Sequence, residues 1–228
     1  MDTSTPYPLR LEGDMSPRLS RWLWLVKLLL AIPHFVVLFF LWISFLVLTV
    51  VAFFAILFTG RYPRGIFDFN VGVLRWTWRV CYYTYSALGT DRYPPFSLGE
   101  EPDYPAALSV EYPEELSRGL ALVKWWLLAI PQYLVIAVLA GGVGVHWWLS
   151  GGLIGLLVLF AAVVLLVKGR YPRSLYDLTM GFNRWVFRVI VYASLMRDEY
   201  PPFRLDLGGD EPPSGAPVTQ PPAVPAGA

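Results

Sequence analysis

Gly60-Arg61-Tyr62-Pro63-Arg64 recurs, residue for residue, as Gly169-Arg170-Tyr171-Pro172-Arg173, and this repetition decides the fold. Upstream, Ser20-Arg21, Leu25-Val26-Lys27 and Ala31-Ile32-Pro33 recur as Ser117-Arg118, Leu122-Val123-Lys124 and Ala129-Ile130-Pro131. Downstream, Tyr93-Pro94-Pro95-Phe96 matches Tyr200-Pro201-Pro202-Phe203, and the halves open on Tyr7-Pro8 and Tyr104-Pro105. Self-similarity at this spacing marks a tandem duplication. The sequence divides into a first repeat over 1–100, a second over 101–207, and a Pro-, Gly- and Ala-rich tail over 208–228 whose composition predicts disorder.

Between the matched motifs the chain is unusually apolar. Apolar residues make up 56% and charged residues 15% of the 228, against about 25% charged in a soluble domain. That leaves too little charge to cover a soluble surface, so an integral membrane protein of the all-α class is expected. The first nineteen residues lack the basic and apolar regions of a secretory signal, so insertion is expected to use the internal apolar segments. The net charge of +1 gives no reason to expect a nucleic-acid partner. The single cysteine, Cys81, excludes an intramolecular disulfide and reads as a small buried residue, its counterpart being Ile190.

The run from Trp22 to Thr59, as one straight helix, would be about 57 Å long against a hydrocarbon core of roughly 30 Å. A tight hairpin turning at Trp42-Ile43-Ser44 is therefore expected, with a re-entrant hairpin or a Pro33-kinked helix crossing once as the alternatives. In the second half, glycines and tryptophans from Gly141 to Gly152, His146 among them, predict the tip of a second hairpin. Arg18, Arg21, Arg61 and Arg64 flank the first hairpin, and Arg118, Lys168, Arg170 and Arg173 flank the second. By the positive-inside rule the connectors and both termini face the cytoplasm, with the repeats parallel about an axis along the membrane normal.

Each connector leads into a segment with matching polar positions: Asp68, Gly72, Arg75 and Arg79 against Asp177, Gly181, Arg184 and Arg188. Their spacing returns to one helical face. An amphipathic helix lying at the cytoplasmic interface is expected, its aromatic side in the acyl boundary and its arginines at phosphate level. Arg75, Arg79, Arg184 and Arg188 are the candidates for contact with anionic lipid or a partner, or anchors that only orient the helix. Ser174 and Asp177 fit a capping box. Short runs at Leu9–Glu12, Phe96–Leu98, Ala107–Val110 and Phe203–Leu207 are candidate strands at the repeat ends.

Lys27, Lys124 and His34 are the candidate intramembrane polar residues. The lysines either snorkel to an interface or line an ion path. His34, whose counterpart is Gln132, reads as a hydrogen-bonded polar residue or a titrating one. No metal-site spacing, phosphate-cradling loop or nucleophile motif is present in the sequence, so no cofactor and no catalytic residue is expected.

Ala31-Ile32-Pro33-His34, Phe58-Thr59-Gly60-Arg61-Tyr62-Pro63-Arg64-Gly65, the stretch 67–76 and Asp91-Arg92-Tyr93-Pro94-Pro95-Phe96 together resemble a bacterial membrane-protein family known only as a domain of unknown function. The resemblance implies a bacterial cytoplasmic membrane and supplies no activity. The expectation is a non-catalytic scaffold that contacts membrane lipids or binds a partner, another membrane protein or a second copy. The alternative is a small transporter or channel with a path between the repeats.

Overall fold

The computed structural model describes residues 7–141 and 152–209. Among them are seven α-helices and one strand pair, arranged as two copies of one unit. The first copy runs β1 (Leu9–Gly13), α1 (Trp24–Leu30), α2 (Ile32–Thr59) and α3 (Arg64–Tyr83). The second runs β2 (Ala106–Val110), α4 (Arg118–Val123), a π-helical turn (Lys124–Leu128), α5 (Ile130–Ala140), α6 (Leu153–Lys168) and α7 (Arg173–Ala193).

β1 and β2 pair antiparallel, with Leu11 opposite Leu108, Leu9 opposite Val110 and Gly13 opposite Ala106. Tyr7 and Tyr104 fix the equivalence of the two openings, which makes Leu11 and Leu108 equivalent residues. A pseudo-twofold axis therefore passes through that pair. β1 packs on α7 and β2 on α3, so each copy lends its opening strand to the other. Of the four candidate strand runs only the two openings are strands.

The first expected hairpin is replaced by one continuous helix. α2 is 28 residues long, about 42 Å, with no glycine or proline after Pro33 to turn it. At the expected tip Trp42 is buried, and the Ser44 hydroxyl donates to the Phe40 carbonyl at 3.1 Å, satisfied within the helix. The break in helix lies instead at Ala31, ahead of Pro33 in the first turn, where proline costs no helical hydrogen bond. Among the described residues α2 is by length and composition apolar enough to cross a membrane, with mean hydropathy 2.8, and so is the bent pair Arg118–Leu128 with Ile130–Ala140 taken as one span.

In the second copy the distance from Pro131 to Gly169 is eleven residues longer than that from Pro33 to Gly60. α5 and α6 match the two ends of α2. Buried Gln132, Ile136 and Ala140 stand where His34, Leu38 and Trp42 do, and Ile154, Ala161 and Leu165 where Phe45, Ala52 and Ile56 do. Gly152 abuts the backbone of Ala140 and Gly141, so the extra residues leave and rejoin at one point. By burial, α5 and α6 together correspond to the single α2 of the first copy, where the second hairpin was expected. Its expected tip, His146 included, lies outside the described residues.

The lysine-to-alanine spacing shows the same logic at finer scale. Lys27 precedes Ala31 by four residues and Lys124 precedes Ala129 by five. Ala31 N donates to the Lys27 carbonyl, and Ala129 N to the Lys124 carbonyl, both at 2.9 Å. A helix absorbs one extra residue by widening a single turn to the π form, as Lys124–Leu128 does. Beyond it the chain bends by 46° into α5.

α2 and α6 end on Gly60 and Gly169, with φ of +73° and +67°, a left-handed conformation that glycine adopts without Cβ strain. The Gly60 carbonyl accepts from Leu116 N at 2.8 Å, and the Arg21 guanidinium lies against Gly169. Each connector therefore meets the Ser-Arg opening of the other copy, the length of α2 away from its own.

α3 and α7 form the core. Trp78, Tyr82, Tyr83 and Phe187 are fully buried, and Trp78 packs edge-on against Phe187. They are not surface helices with aromatics facing lipid, as expected, because α2, α5 and α6 cover one side and the strand pair the other. Most of the large exposed apolar side chains fall on α1, α2, the π turn, α5 and α6, with others on the closing loops at Phe96, Phe203 and Leu207. The close of the second copy extends past Leu207: Gly209 accepts from Gly13 N at 3.1 Å. The rest of the expected tail, 210–228, lies outside the described residues.

Candidate functional site

The duplicated arginines turn inward. Arg184 is fully buried, and its Nε, Nη1 and Nη2 donate to the carbonyls of Leu11, Asp206 and Gly209 at 2.8, 2.7 and 2.6 Å. Arg75, its equivalent, donates from Nε to the Leu108 carbonyl at 3.0 Å and pairs with Glu100 at 2.5 Å. Each of these arginines therefore clamps the borrowed strand of the other copy. Tyrosines repeat the exchange: the Tyr7 hydroxyl donates to the Arg188 carbonyl and the Tyr104 hydroxyl to the Arg79 carbonyl, both at 3.4 Å.

Arg188 and Arg79, one turn further on, close the cluster against the loops that follow Tyr-Pro-Pro-Phe. Arg188 Nη2 meets Asp206 Oδ2 at 2.6 Å. Arg79 donates to the Gly99 carbonyl at 3.1 Å and to the Ser97 carbonyl. Burial pushes the Arg79 guanidinium below the usual arginine pKa, opposed by Glu101 and Tyr104. The expected lipid-facing stripe is thus corrected: Arg79, Arg184 and Arg188 are at most 2% exposed. Their acceptors are mostly backbone carbonyls, groups with no signature in a sequence. Arg75, 21% exposed at its side chain, keeps a solvent-facing edge.

The lysines are held by acids that the sequence reading did not single out as partners. Lys27 Nζ lies 2.8 Å from Asp91 and 2.6 Å from the Thr90 carbonyl. Lys124 Nζ lies 2.7 Å from Asp198 and 2.9 Å from the Arg197 carbonyl. Each aspartate also accepts a backbone N–H at the opening, Asp91 from Ser20 at 2.5 Å and Asp198 from Ser117 at 2.6 Å. The signal was present, since both aspartates stand two residues before Tyr-Pro-Pro-Phe. The two lysines, each 1% exposed, tie the closing loop of a copy to its own first helix.

His34 is fully buried; its Nδ1 accepts from Trp76 Nε1 at 3.0 Å, and its ring stacks on Phe96 at 4.0 Å. Gln132 takes the same place, its Oε1 accepting from Trp185 Nε1 at 2.7 Å and its Nε2 donating to the Pro201 carbonyl at 3.0 Å. Histidine and glutamine share one hydrogen-bonding task. Asp177 pairs with Arg173 at 3.4 Å, and the expected Ser174 capping box is absent, since α7 starts from Pro172 without a side-chain cap. Cys81 is buried, its thiol pushed up to about 12 by burial.

Beside the first-copy cluster lies a cavity of about 260 Å³, lined by Arg10, Arg75, Arg79, Glu12 and Glu101 among others. The clusters, the ion pairs and the shared indole acceptors repeat across the two copies, and a family model matches the chain over the same two regions. It is described as a domain of unknown function, DUF4389, and it matches residues 21–97 and 119–204. No curated protein and no solved structure matches the chain. The chain belongs to the DUF4389 family and carries its domain twice in tandem.

Proposed function

We propose that the protein is a non-catalytic scaffold of the bacterial cytoplasmic membrane, seated in one leaflet with α2, α5 and α6 lying along the bilayer plane. The observation that carries this reading is the separation of apolar and charged surfaces across the layers. Phe40, Val47, Val50 and Phe54 on α2, and Leu134, Val138, Leu156 and Phe160 on α5 and α6, are exposed on the outer side. A contiguous apolar face of this extent needs a nonpolar partner, and acyl chains supply one along its whole length.

The same layering argues against an upright α2. Trp42 donates to Thr77 at 3.2 Å, so the middle of α2 packs near Arg75 and Arg79 on α3. Exposed Glu100, Arg10 and Glu12 lie just beyond. Were α2 to stand upright, these charges would sit near the bilayer midplane, at several kcal/mol each. Lying flat, they face the cytoplasm, and the axis through Leu11 and Leu108 runs along the membrane normal. Arg18, Arg21, Arg61, Arg64 and Arg118 then ring the apolar face at phosphate level.

Depth-dependent quenching tests this. In Cys81→Ala protein reconstituted in phosphatidylcholine vesicles, a fluorophore on Val47→Cys is expected to be quenched by lipids brominated along the acyl chain, and one on Ser109→Cys by aqueous iodide. Quenching of Val47→Cys by iodide alone would reject membrane embedding.

A further inference from the structure

The arginine clusters of the two copies differ in their closing loops, where Ser97, Gly99, Glu100 and Glu101 stand against Arg204, Asp206, Leu207 and Gly208. Counting six residues on from the tyrosine of each Tyr-Pro-Pro-Phe, the second copy has Asp206 and the first has Gly99. Asp206 supplies the carboxylate for Arg188 and also accepts from Arg204 Nε at 3.1 Å. Arg79, 2% exposed, is left with the carbonyls of Ser97 and Gly99, and among the described residues no ion pair reaches it. Its Nε has no partner. A buried guanidinium hydrogen-bonded to neutral carbonyls, with Glu101 acting on it only through space, keeps much of its desolvation cost.

The space for a carboxylate is present. The cavity of about 260 Å³ borders Arg79 at Gly99, with Arg75 and Arg10 on its walls. Glu12, Glu100 and Glu101 line it as well. Glu100 is bound to Arg75 and lies largely in solvent, and Glu101 makes no ion pair with Arg79. A Cβ at Gly99 meets nothing nearer than Ser97 Oγ at 3.4 Å, so the missing side chain has room.

We propose that this cavity is an oxyanion-binding site, for a small carboxylate or phosphate group held by Arg79 and Arg75, whose equivalent in the second copy is filled by the protein's own Asp206. Arginine's planar fork suits both groups. The site stands on the strand side, away from the apolar face, and does not depend on how the helices sit in the bilayer.

Titration of the full chain in neutral detergent with inorganic phosphate and with acetate, read by calorimetry, tests the proposal. One site per chain is expected for at least one of the two anions. Gly99→Asp is expected to weaken binding at least tenfold while leaving the protein folded, since it installs the second copy's own solution; Arg79→Gln is expected to do the same. Asp206→Gly is expected to raise the stoichiometry from one to two where it folds. Competition by phosphatidylglycerol micelles that is lost in Gly99→Asp would assign the oxyanion to a lipid headgroup; absence of competition would assign it to a free anion. No binding of either anion by the wild type, or equal binding by Gly99→Asp, overturns the proposal.

Discussion

Arg184 Nε donates to the Leu11 carbonyl at 2.8 Å, an arginine of the second copy closing on a strand of the first. Because Arg75 does the same to Leu108 at 3.0 Å, the duplicated stripe holds the two copies together. Arg184→Ala removes the charged donor from the carbonyls of Leu11, Asp206 and Gly209, at about 1.5–3 kcal/mol for each hydrogen bond lost. The expected loss is several kcal/mol, and Arg75→Ala, partly solvated, loses less. Thermal unfolding in detergent of the two variants checks the order.

Asp198 and Lys124 form a nearly buried pair at 2.7 Å. Removing one partner of such a pair costs about 3–5 kcal/mol, because the remaining charge stays buried. Asp198→Ala is expected to be strongly destabilised, and adding Lys124→Met to recover most of the loss. Guanidinium unfolding of the single and double variants measures the recovery, and a double variant no better than the single contradicts the assignment.

Trp126 lies on the π turn with its side chain half exposed, and the first copy makes the same connection with one residue fewer. Deleting Trp126 is expected to restore a plain α-helical turn at a cost of about 1 kcal/mol or less. Deleting Leu46 from α2 rotates the buried stripe beyond it by one helical step of about 100°, placing Ala52 and Ile56 out of register, and is expected to prevent folding. Expression and circular dichroism separate the two.

The Cys81 thiol is pushed up from 9.0 to about 12, and the Tyr62 hydroxyl from 10.0 to about 12, in both cases chiefly by burial. The folded protein holds the neutral forms, while the unfolded chain ionises at ordinary values. Their contribution to stability is therefore full below pH 9 and lost progressively as pH rises from 9 towards 12. Native protein at pH 8 is expected not to react with maleimide, and denatured protein to react fully.

The duplication and the helical class were legible because glycine, proline and tyrosine punctuate the chain at matched positions. The π turn was written in the spacing too, as the one-residue difference between Lys27–Ala31 and Lys124–Ala129. The first hairpin was not legible because apolar composition carries no turn signal, and α2 has no glycine or proline after Pro33 to make one. The arginines were misread for a different reason. Helical spacing put Arg75, Arg79, Arg184 and Arg188 on one face, but the carbonyls of Leu11 and Leu108 reach that face through tertiary strand exchange, which periodicity does not encode.

Two positions test most directly whether α2 lies in the plane of the membrane. Ser20 precedes α1 and Thr59 ends α2, so the pair brackets the long apolar stretch. In Cys81→Ala protein in sealed vesicles of uniform orientation, single cysteines at Ser20 and at Thr59 are expected to react with a membrane-impermeant maleimide from the same side. Reaction from opposite sides would mean that the stretch crosses the bilayer and would contradict the account.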